Sequence, residues 1–590
     1  MTDTRSDTKM LSKLMFKLLP VQVLLAAVGA INGIVSTFFA TNFVGVDAMG
    51  AVGLFGPINL LLQAVSIVMF GGSVIMCGKY MGQNKQDKLL SCYSVNIVFT
   101  VLLSILFVIV FVVLGVFDLT GFLASDPVVR KLFNRYLLGQ AIGVLPFFIG
   151  NQLPAFLSLE NKSNRTIVAT VVYIVVNLIL NFVFVQMMKL EAFGLALASS
   201  LGMWAFMGVQ AQHFFSGKSH FRFSIKDCDW REGLSILKIG YPGALNQGYQ
   251  ALRGFIINGL LTAFVGSVGI SAFASANNIL CIFWSFPTGM LAVSRMIISV
   301  SIGEEDRQTL TDCFRVMLKR FIPLMCGISL LLTLLAEPLT MIFYRDPSQE
   351  VYMLTVWGVR LLPWCLPLAI VSQHFVCYWQ ASGRHLIVHI LSVLDGFVIV
   401  CAFTALTIRA WGLNGLYIGN LVNGAVIIIV AIIYGLVVNR RFTFRLDDLL
   451  CMPVGFGAAD TDRIDITIRD VSEVVAISEA VQEFCKVRGI DDRRALLSGL
   501  AMEEMAGNIV EHGFTKDKKK HSVDVRVVHK DDGVIMRLKD DCVPFDPGER
   551  QKIAEHSDVT SNIGLKMVFK IASDVEYQSL LGLNVLTIRI

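Results

Sequence analysis

FVGVDAMGAVGLFGPINLLLQAVSIVMFGGSVIMCGKYMGQNKQDKL, residues 43–89, reads a second time in the same chain as FVGSVGISAFASANNILCIFWSFPTGMLAVSRMIISVSIGEEDRQTL, residues 264–310, at a constant offset of 221 (264 − 43). The apolar runs alone decide little, because any two membrane helices share Leu, Ile, Val and Phe. The loop punctuation decides: FVG before the run, and MGQNKQDKL against IGEEDRQTL after it. Working outward, Asp126-Pro127 falls on Asp346-Pro347 at an offset of 220, and FGLALASSLG from Phe193 falls on WGLNGLYIGN from Trp411 at 218. The chain reads as an internal duplication. Two repeats of the same orientation make two lobes related by an axis along the membrane normal, with a cavity between them that opens alternately to each side.

The 590 residues are 55% apolar, above the roughly 45–50% of soluble domains. A crossing needs about 20 apolar residues, which places spans near 14–40, 51–78, 92–116, 132–158, 165–187 and 192–214, and again near 236–263, 269–301, 314–337, 352–380, 386–408 and 412–437. Twelve crossings put both termini on one side. The loops on that side carry Lys79, Lys85, Lys88, Arg222, Lys226, Arg307, Arg315 and Arg440 among others, against Arg130, Lys131, Lys189, Arg345 and Arg409 opposite. The excess of Lys and Arg makes both termini cytoplasmic.

Charge divides the chain in two. Of 50 Lys/Arg and 45 Asp/Glu, residues 464–590 hold 18 and 22, a balance of −4, which leaves 32 and 23, a balance of +9, upstream. That basic excess belongs to membrane-proximal loops, so it reports topology and implies no nucleic-acid partner. The twelve cysteines have no paired spacing and no nearby His cluster, which argues against a disulfide framework and a zinc site and leaves buried free thiols. The polar, basic N-terminus leads into a full-length span without a small-residue cleavage site, and reads as a tail rather than a signal peptide.

Residues 14–437 resemble the multidrug and toxic compound extrusion (MATE) transporters. The resemblance is carried by FVG and MGQNKQDKL around the second span, by YLLGQAIGVLPFFIGNQLPAFLSLENKSNRTIVATVVYIVVNLILNFVFV from Tyr136, and by GYPGAL at 240–245 opening the seventh. It implies an α-helical polytopic fold of twelve spans in two six-helix lobes. It also implies export of a small molecule coupled to entry of H⁺ or Na⁺.

An ionised side chain near the bilayer centre costs about 2.5–3.5 kcal/mol on insertion scales, so each one needs a reason. Asp395, in HILSVLDGFVIV, is the clearest acid deep in a span; Glu160 lies at the inner end of the fourth; Arg253, Arg295 and Arg360 are the embedded cations. Two readings stay open. Either Asp395 handles the coupling ion while the arginines contact substrate, or Asp395 pairs with an arginine and holds helices together. Gln247, Asn177 and Asn181, with Asn246, Asn277 and Asn278, either line the cavity or bond helix to helix. Against the family pattern two acids are missing. Many MATE proteins carry an aspartate about where Ser36 stands, and a cation-handling acid in the seventh span where this chain has Gln247, Gln250 and Arg253. A cavity richer in arginine than in carboxylate suits an anionic or amphipathic cargo better than a lipophilic cation. SGKS at 216–219 is no phosphate loop, because Gln212 stands where GxxxxGK[ST] needs glycine and a membrane helix replaces the preceding strand.

After the last span, NRRFTFRLDDLLCMPVGFGAADTDR reads as a linker. Beyond it, periodicity gives strands near 464–468, 522–529, 533–539, 575–579 and 584–590, and helices near 471–487, 492–512 and 562–572. In GLAMEEMAGNIVEHGF, residues 499–514, helical spacing puts Glu504, Asn508 and His512 at i, i+4 and i+8, within about 80° of one another. KDDCVPFDP at 539–547 and SNIGLKMV at 561–568 follow in order. These three motifs over about 120 residues resemble the GHKL ATP-binding fold of gyrase and histidine kinases, and most closely the anti-sigma-factor serine kinases.

Carried over residue by residue, that resemblance makes Asn508 the Mg²⁺ ligand on the phosphates of ATP and Glu504 the base for an attacking serine hydroxyl or water. It places His512 and Leu565 beside the nucleotide, makes Asp540 the acceptor for the adenine amino group, and has Pro544, Phe545 and Asp546 shape the pocket. Gly564 opens a helix whose N-terminus meets phosphate. Two departures bear on turnover: Cys542 fills a position that is usually glycine in D-x-G, and Asn562 fills the first glycine of G-x-G. KDKKK at 516–520 is a solvated loop or a contact to anionic lipid or a partner.

The expected organisation is thus a cytoplasmic tail at 1–13, an N-lobe at 14–214, an inter-lobe linker at 215–235, a C-lobe at 236–437, a linker at 438–463 and an α/β GHKL sandwich at 464–590. The expected function is secondary export of an amphipathic or drug-like molecule, with a cytoplasmic ATP-binding domain that regulates transport or binds a regulatory protein partner. Two alternatives remain from the sequence: a membrane-tethered serine kinase or anti-sigma-type switch, and a flippase of an anionic lipid-linked substrate.

Overall fold

The structure is a computed structural model that describes residues 8–39, 43–44, 46–122, 126–217, 219–440, 445–453, 455–458, 460–516, 520–530, 533–544 and 563–590. In the first lobe the spans are Lys9–Phe39, Val46–Gly82, Gln86–Val116, a fourth broken into Pro127–Ala141, Val144–Gly150 and Leu153–Leu159, a fifth of Ser163–Asn181 ending in a π turn, and Glu191–Phe214. In the second they are Arg231–Phe264, an eighth made of Gly266–Cys281 and Ser285–Gly303, a ninth running from Arg307 to Leu334 through a π turn, a tenth from Glu350 to Ala381, an eleventh from His385 to Trp411, and Leu413–Asn439.

Among the described residues ten helices are long and apolar enough to cross a membrane, or eleven when the pair Pro127–Ala141 and Val144–Leu159, bent by 50°, counts as one. The expected seventh span, Arg231–Phe264, has 34 residues. It is long enough to cross, but Asn246, Gln247, Gln250 and Arg253 make it too polar to qualify by composition. The expected spans 4, 8, 9, 10 and 11 exist but are interrupted, and Pro146, Pro154, Pro287 and Pro363 sit at or beside four of the breaks, where each removes a backbone donor.

The duplication is visible in the packing between lobes. A Cβ on Gly82 would run into the Val300 carbonyl, and a Cβ on Gly303 into the Lys79 carbonyl. Val300 lies 221 residues after Lys79 and Gly303 lies 221 after Gly82, so the contact maps onto itself when the lobes are exchanged. The pseudo-two-fold axis therefore passes between the ends of spans 2 and 8, where their backbones touch. Gly78 packs on Ser299, again its own repeat partner. This end of the inter-lobe space is shut. It is also the end that carries the C-terminal domain.

That domain is a five-stranded antiparallel sheet in the order β1-β2-β3-β5-β4, with β1 Arg463–Ile468, β2 Val523–Lys530, β3 Gly533–Asp540, β4 Asp574–Leu580 and β5 Leu583–Arg589. Helices Ser472–Val487, Asp492–Asn508 and Ile563–Ile571 cover one face. All five strands and three helices fall where the periodicity places them. Strand residues alternate as period two requires: Val523, Val525, Val527, Val534, Met536 and Leu538 join the helices in one core, while Arg526, Arg537 and Lys539 point from the other face. The stretch read as a linker holds a short helix, Leu446–Leu449, and Asp447 in it binds Arg307 at 3.0 Å.

Candidate functional site

The residues expected to hold nucleotide lie on three elements. Asp491 starts the glutamate helix by accepting from the amides of Arg493 and Arg494, the role a short acidic side chain plays at an N-cap. Ala495, Ser498, Ala501, Met502, Met505 and Ala506 then bury one face, which leaves Glu504 and Asn508 half-buried at its edge. The two are bonded to each other, Asn508 Nδ2 donating to Glu504 Oε1 at 2.8 Å. The expected continuous helix to 512 ends instead in a π turn, Ile509–Gly513. Its wider winding rotates His512 off the stripe, and His512 is exposed.

Asp540 ends β3, is 5% exposed, and accepts from Asn584 Nδ2 at 2.7 Å and from the Cys542 amide at 2.9 Å, both on Oδ1. Burial pushes its carboxyl up, and these two bonds oppose that shift only in part. Cys542 is not among the residues with positive φ, so the missing glycine strains no backbone here. A Cβ on Gly564 would run into the Glu504 carboxylate. That carboxylate therefore lies against the start of the helix Ile563–Ile571, where free amides favour an anion. The donor set suits a nucleotide: an acid for the adenine edge, an amide-rich helix start for phosphate, and oxygen ligands for Mg²⁺. Leu565 is buried in the domain core, and Pro544 is exposed. Phe545, Asp546 and Asn562 lie outside the described residues.

Asp541, beside Asp540, was not singled out by the sequence. It takes an ion pair from Lys13, at the start of span 1, and a 2.8 Å contact from His521. Burial alone would raise its carboxyl, but Lys13 and His521 hold it below the ordinary range. With Cys542, these groups form a cluster whose ligand atoms lie within 4.8 Å of one another; two chain-distant partners already engage its carboxylate.

The membrane residues do not converge on one point. Asp395 sits in a π turn of span 11, Leu394–Val398, and accepts from Asn423 Nδ2 at 2.7 Å. Among the described residues it has no arginine within ion-pair distance. Gly396, its neighbour, leaves no room for a Cβ against Tyr249 of span 7, and Arg253 lies one turn further along that span. Arg295 stacks on Phe70 at 5.6 Å and its Nε lacks a hydrogen-bond partner. Arg360, expected at the cavity, instead pairs with Glu337 at 2.7 Å, on two partly exposed side chains. Asn177 donates to Ser199, tying span 5 to span 6, and Asn181 donates to Asn177 within span 5. Gln247 is half-buried and Asn277 and Asn278 are exposed. Glu160 is saturated by His213, Ser219 and the His220 amide, an anchor for the inter-lobe linker.

Comparisons with known proteins bear on both parts. A family model described as MatE matches residues 25–183 and 242–406, together more than half of the chain, and one described as a histidine kinase-like ATPase domain matches residues 469–590. The chain is 25% identical over 203 residues to the "Probable multidrug resistance protein NorM" of Bacillus licheniformis, spanning 32% of this chain and 44% of that one. With the protein of the same description from Bacillus subtilis it shares 24% over 317 residues, 52% of this chain and 68% of the other. Among solved structures, "Crystal structure of MATE in complex with MaL6" superposes with a TM-score of 0.66 at 19% identity, over 73% of this chain and 96% of that one. "Outward-facing conformation of a multidrug resistance MATE family transporter of the MOP superfamily" has the same TM-score, identity and coverage. Likeness at that identity concerns the fold.

Proposed function

The chain belongs to the MatE family, and from that premise we propose that it is a secondary active transporter. It exports an amphipathic or drug-like molecule in exchange for H⁺ or Na⁺, and ATP binding in its histidine kinase-like domain regulates it. The observation that carries the transport half is Asp395. It is an acid in a π turn, a feature frequent at functional sites, at the contact of spans 7 and 11, and unpaired with any cation among the described residues. Such an acid is free to take up and release a coupling ion. Arg253 and Arg295, which have no acidic partner among the described residues, favour a cargo with negative or amphipathic character.

The regulatory half is supported by Glu504 bonding Asn508 and lying against Gly564, and by the buried acid Asp540 at the end of β3. Asn508 would hold Mg²⁺ on the phosphates, Glu504 would stand beside them as the base, and Asp540 would accept from the adenine amino group. The Lys and Arg distribution puts both termini and this domain in the cytoplasm of a bacterial cell, where ATP is at hand.

Efflux from proteoliposomes tests both halves. An imposed pH or Na⁺ gradient without ATP is expected to drive export in the wild type, and Asp395→Asn to abolish the coupled flux. Glu504→Ala is expected to leave gradient-driven export in place while removing any ATP turnover. Export that ran on ATP alone and stopped in Glu504→Ala would overturn the reading, and unchanged coupling in Asp395→Asn would make that acid structural.

A further inference from the structure

The face of the sheet opposite its helices touches both lobes, each by different chemistry. On the C-lobe side it grips the loop after span 8. Lys539 binds Glu304 at 2.5 Å and Asp306 at 3.0 Å, Arg526 pairs with Asp306, and Arg537 donates to the Glu304 carbonyl at 3.0 Å. Glu304 and Asp306 are almost fully buried. Burial disfavours the Asp306 carboxylate, yet Arg526 and Lys539 prevail and hold it well below the usual range.

On the N-lobe side this face seats through an apolar turn, beside the Lys13–Asp541 ion pair that span 1 makes with the same domain. The β4–β5 hairpin closes with Leu581 and Gly582 in its two-residue turn, at φ values of 57° and 90°. Such a turn normally takes Asn-Gly, because left-handed backbone disfavours a bulky residue. Leucine is the wrong residue for an exposed turn. Here it is 4% exposed, its amide donates to the Leu159 carbonyl at 2.9 Å, and Leu580 and Leu581 join a core that includes Leu14, Leu18 and Leu159. A turn residue that is strained yet buried is explained by what it docks on.

We infer that this sheet face is a latch across the two lobes, seated on the N-lobe by the leucine turn and fastened to the C-lobe by Arg526 and Lys539, and that the cytoplasmic face opens only when the ionic side lets go. Three observations carry it. The latched loop directly follows Gly303, which packs on Lys79 at the shut crossing of spans 2 and 8, so parting the lobes there moves Glu304 and Asp306 away from whatever is fixed to the N-lobe. The two attachments differ in how they part: apolar surface resists exposure to water, whereas ions that leave one another are rehydrated. Lastly, Lys539 and Asp540 are consecutive on β3 and point to opposite faces, so the latch and the adenine acceptor share one strand end. Only this last link rests on the proposed nucleotide site.

Hydrogen exchange of the full-length chain in nanodiscs tests the latch, read at segment 299–308 and at segment 79–85. Residues 82–85 line a cavity shared with Arg526, Lys530 and Arg537, so the report on parting of the lobes comes from residues 79–81, where Lys79 packs on Gly303. Lys539→Glu is expected to speed exchange at least tenfold in both segments, and adding Glu304→Lys to restore protection by reversing the pair. Leu581→Glu, a change in the turn rather than in the sheet core, is expected to do the same from the other side. Faster exchange confined to 299–308, or no rescue in the double variant, would overturn the latch and make the domain a passenger. Binding of a fluorescent ATP analogue is measured in parallel. Its absence in the wild type would sink the nucleotide reading and leave the latch standing.

Discussion

Asp540→Asn is the sharpest probe of the nucleotide pocket. In the wild type, Oδ1 is engaged by Asn584 and the Cys542 amide, the Cys542 thiol also bonds the carboxyl, and the proposed role of this carboxylate is to accept from the adenine amino group. Asparagine keeps the first two bonds through its carbonyl oxygen and presents an NH₂ where the acceptor stood, setting donor against donor. A hydrogen bond to a charged group contributes about 1.5–3 kcal/mol, and each 1.4 kcal/mol is roughly tenfold in affinity. The dissociation constant for ATP is therefore expected to rise roughly 10- to 150-fold, with little change in stability. Titration calorimetry on the full-length protein in detergent measures it. The pH profile gives a second reading. Burial raises the Asp540 carboxyl, so affinity is lost as pH falls through a value above the ordinary range for aspartate, and the variant loses that dependence. A change in affinity of less than twofold, or a wild-type affinity flat with pH into the ordinary carboxylate range near 4, would refute the assignment.

Gly303→Val drives a side chain into the Lys79 carbonyl and is expected to lower stability by about 1–3 kcal/mol, as overpacking does, read as a fall in Tm; an unchanged Tm would mean that spans 2 and 8 do not touch as described. Asp306→Asn removes one partner from each of Arg526 and Lys539, which keep Asp465 and Glu304, and is expected to destabilise domain docking by about 1.5–3 kcal/mol, the range for a hydrogen bond to a charged group, scored by limited proteolysis of the linker near 455. Because the folded-state carboxyl of Asp306 is held low, its contribution is present above the unfolded value and fades only as pH drops below it; docking that loosened already at pH 6 would contradict this. Cys542→Gly relieves no strain, since Cys542 has no positive φ, and is expected to leave ATP affinity within a few fold while costing about 0.5–1 kcal/mol from backbone freedom; a large gain in affinity would show that the thiol blocks the pocket.

Much of this was legible in sequence because it is local. Strand alternation, helix caps and the order of the three nucleotide motifs all act over a few residues, and all eight elements of the domain fall within a few residues of their expected places. The π turns were not legible. They shift His512 off the stripe and set Asp395 at its bulge, and a 3.6-residue period cannot anticipate an inserted residue. The docking was not read either, because its charges come from a loop and from strands more than 200 residues apart, as with Glu304 and Lys539. Two signals were present all the same. MGQNKQDKL and IGEEDRQTL match in punctuation and differ in charge, and Leu-Gly stands in a turn that favours Asn-Gly. Arg360 illustrates the opposite failure: an embedded cation reads as functional until Glu337, at the end of a neighbouring helix, is seen beside it.

The duplication leaves the lobes interchangeable at Gly82 and Gly303, but three residues further on they are not. Asp306 falls 221 residues after Lys85, so the repeat carries opposite charge at the position the sheet grips. Turned by half a revolution about the axis, the domain would set Arg526 and Lys539 against a lysine. A nearly symmetric body thus admits the domain in one orientation only, and a single inverted charge selects that orientation.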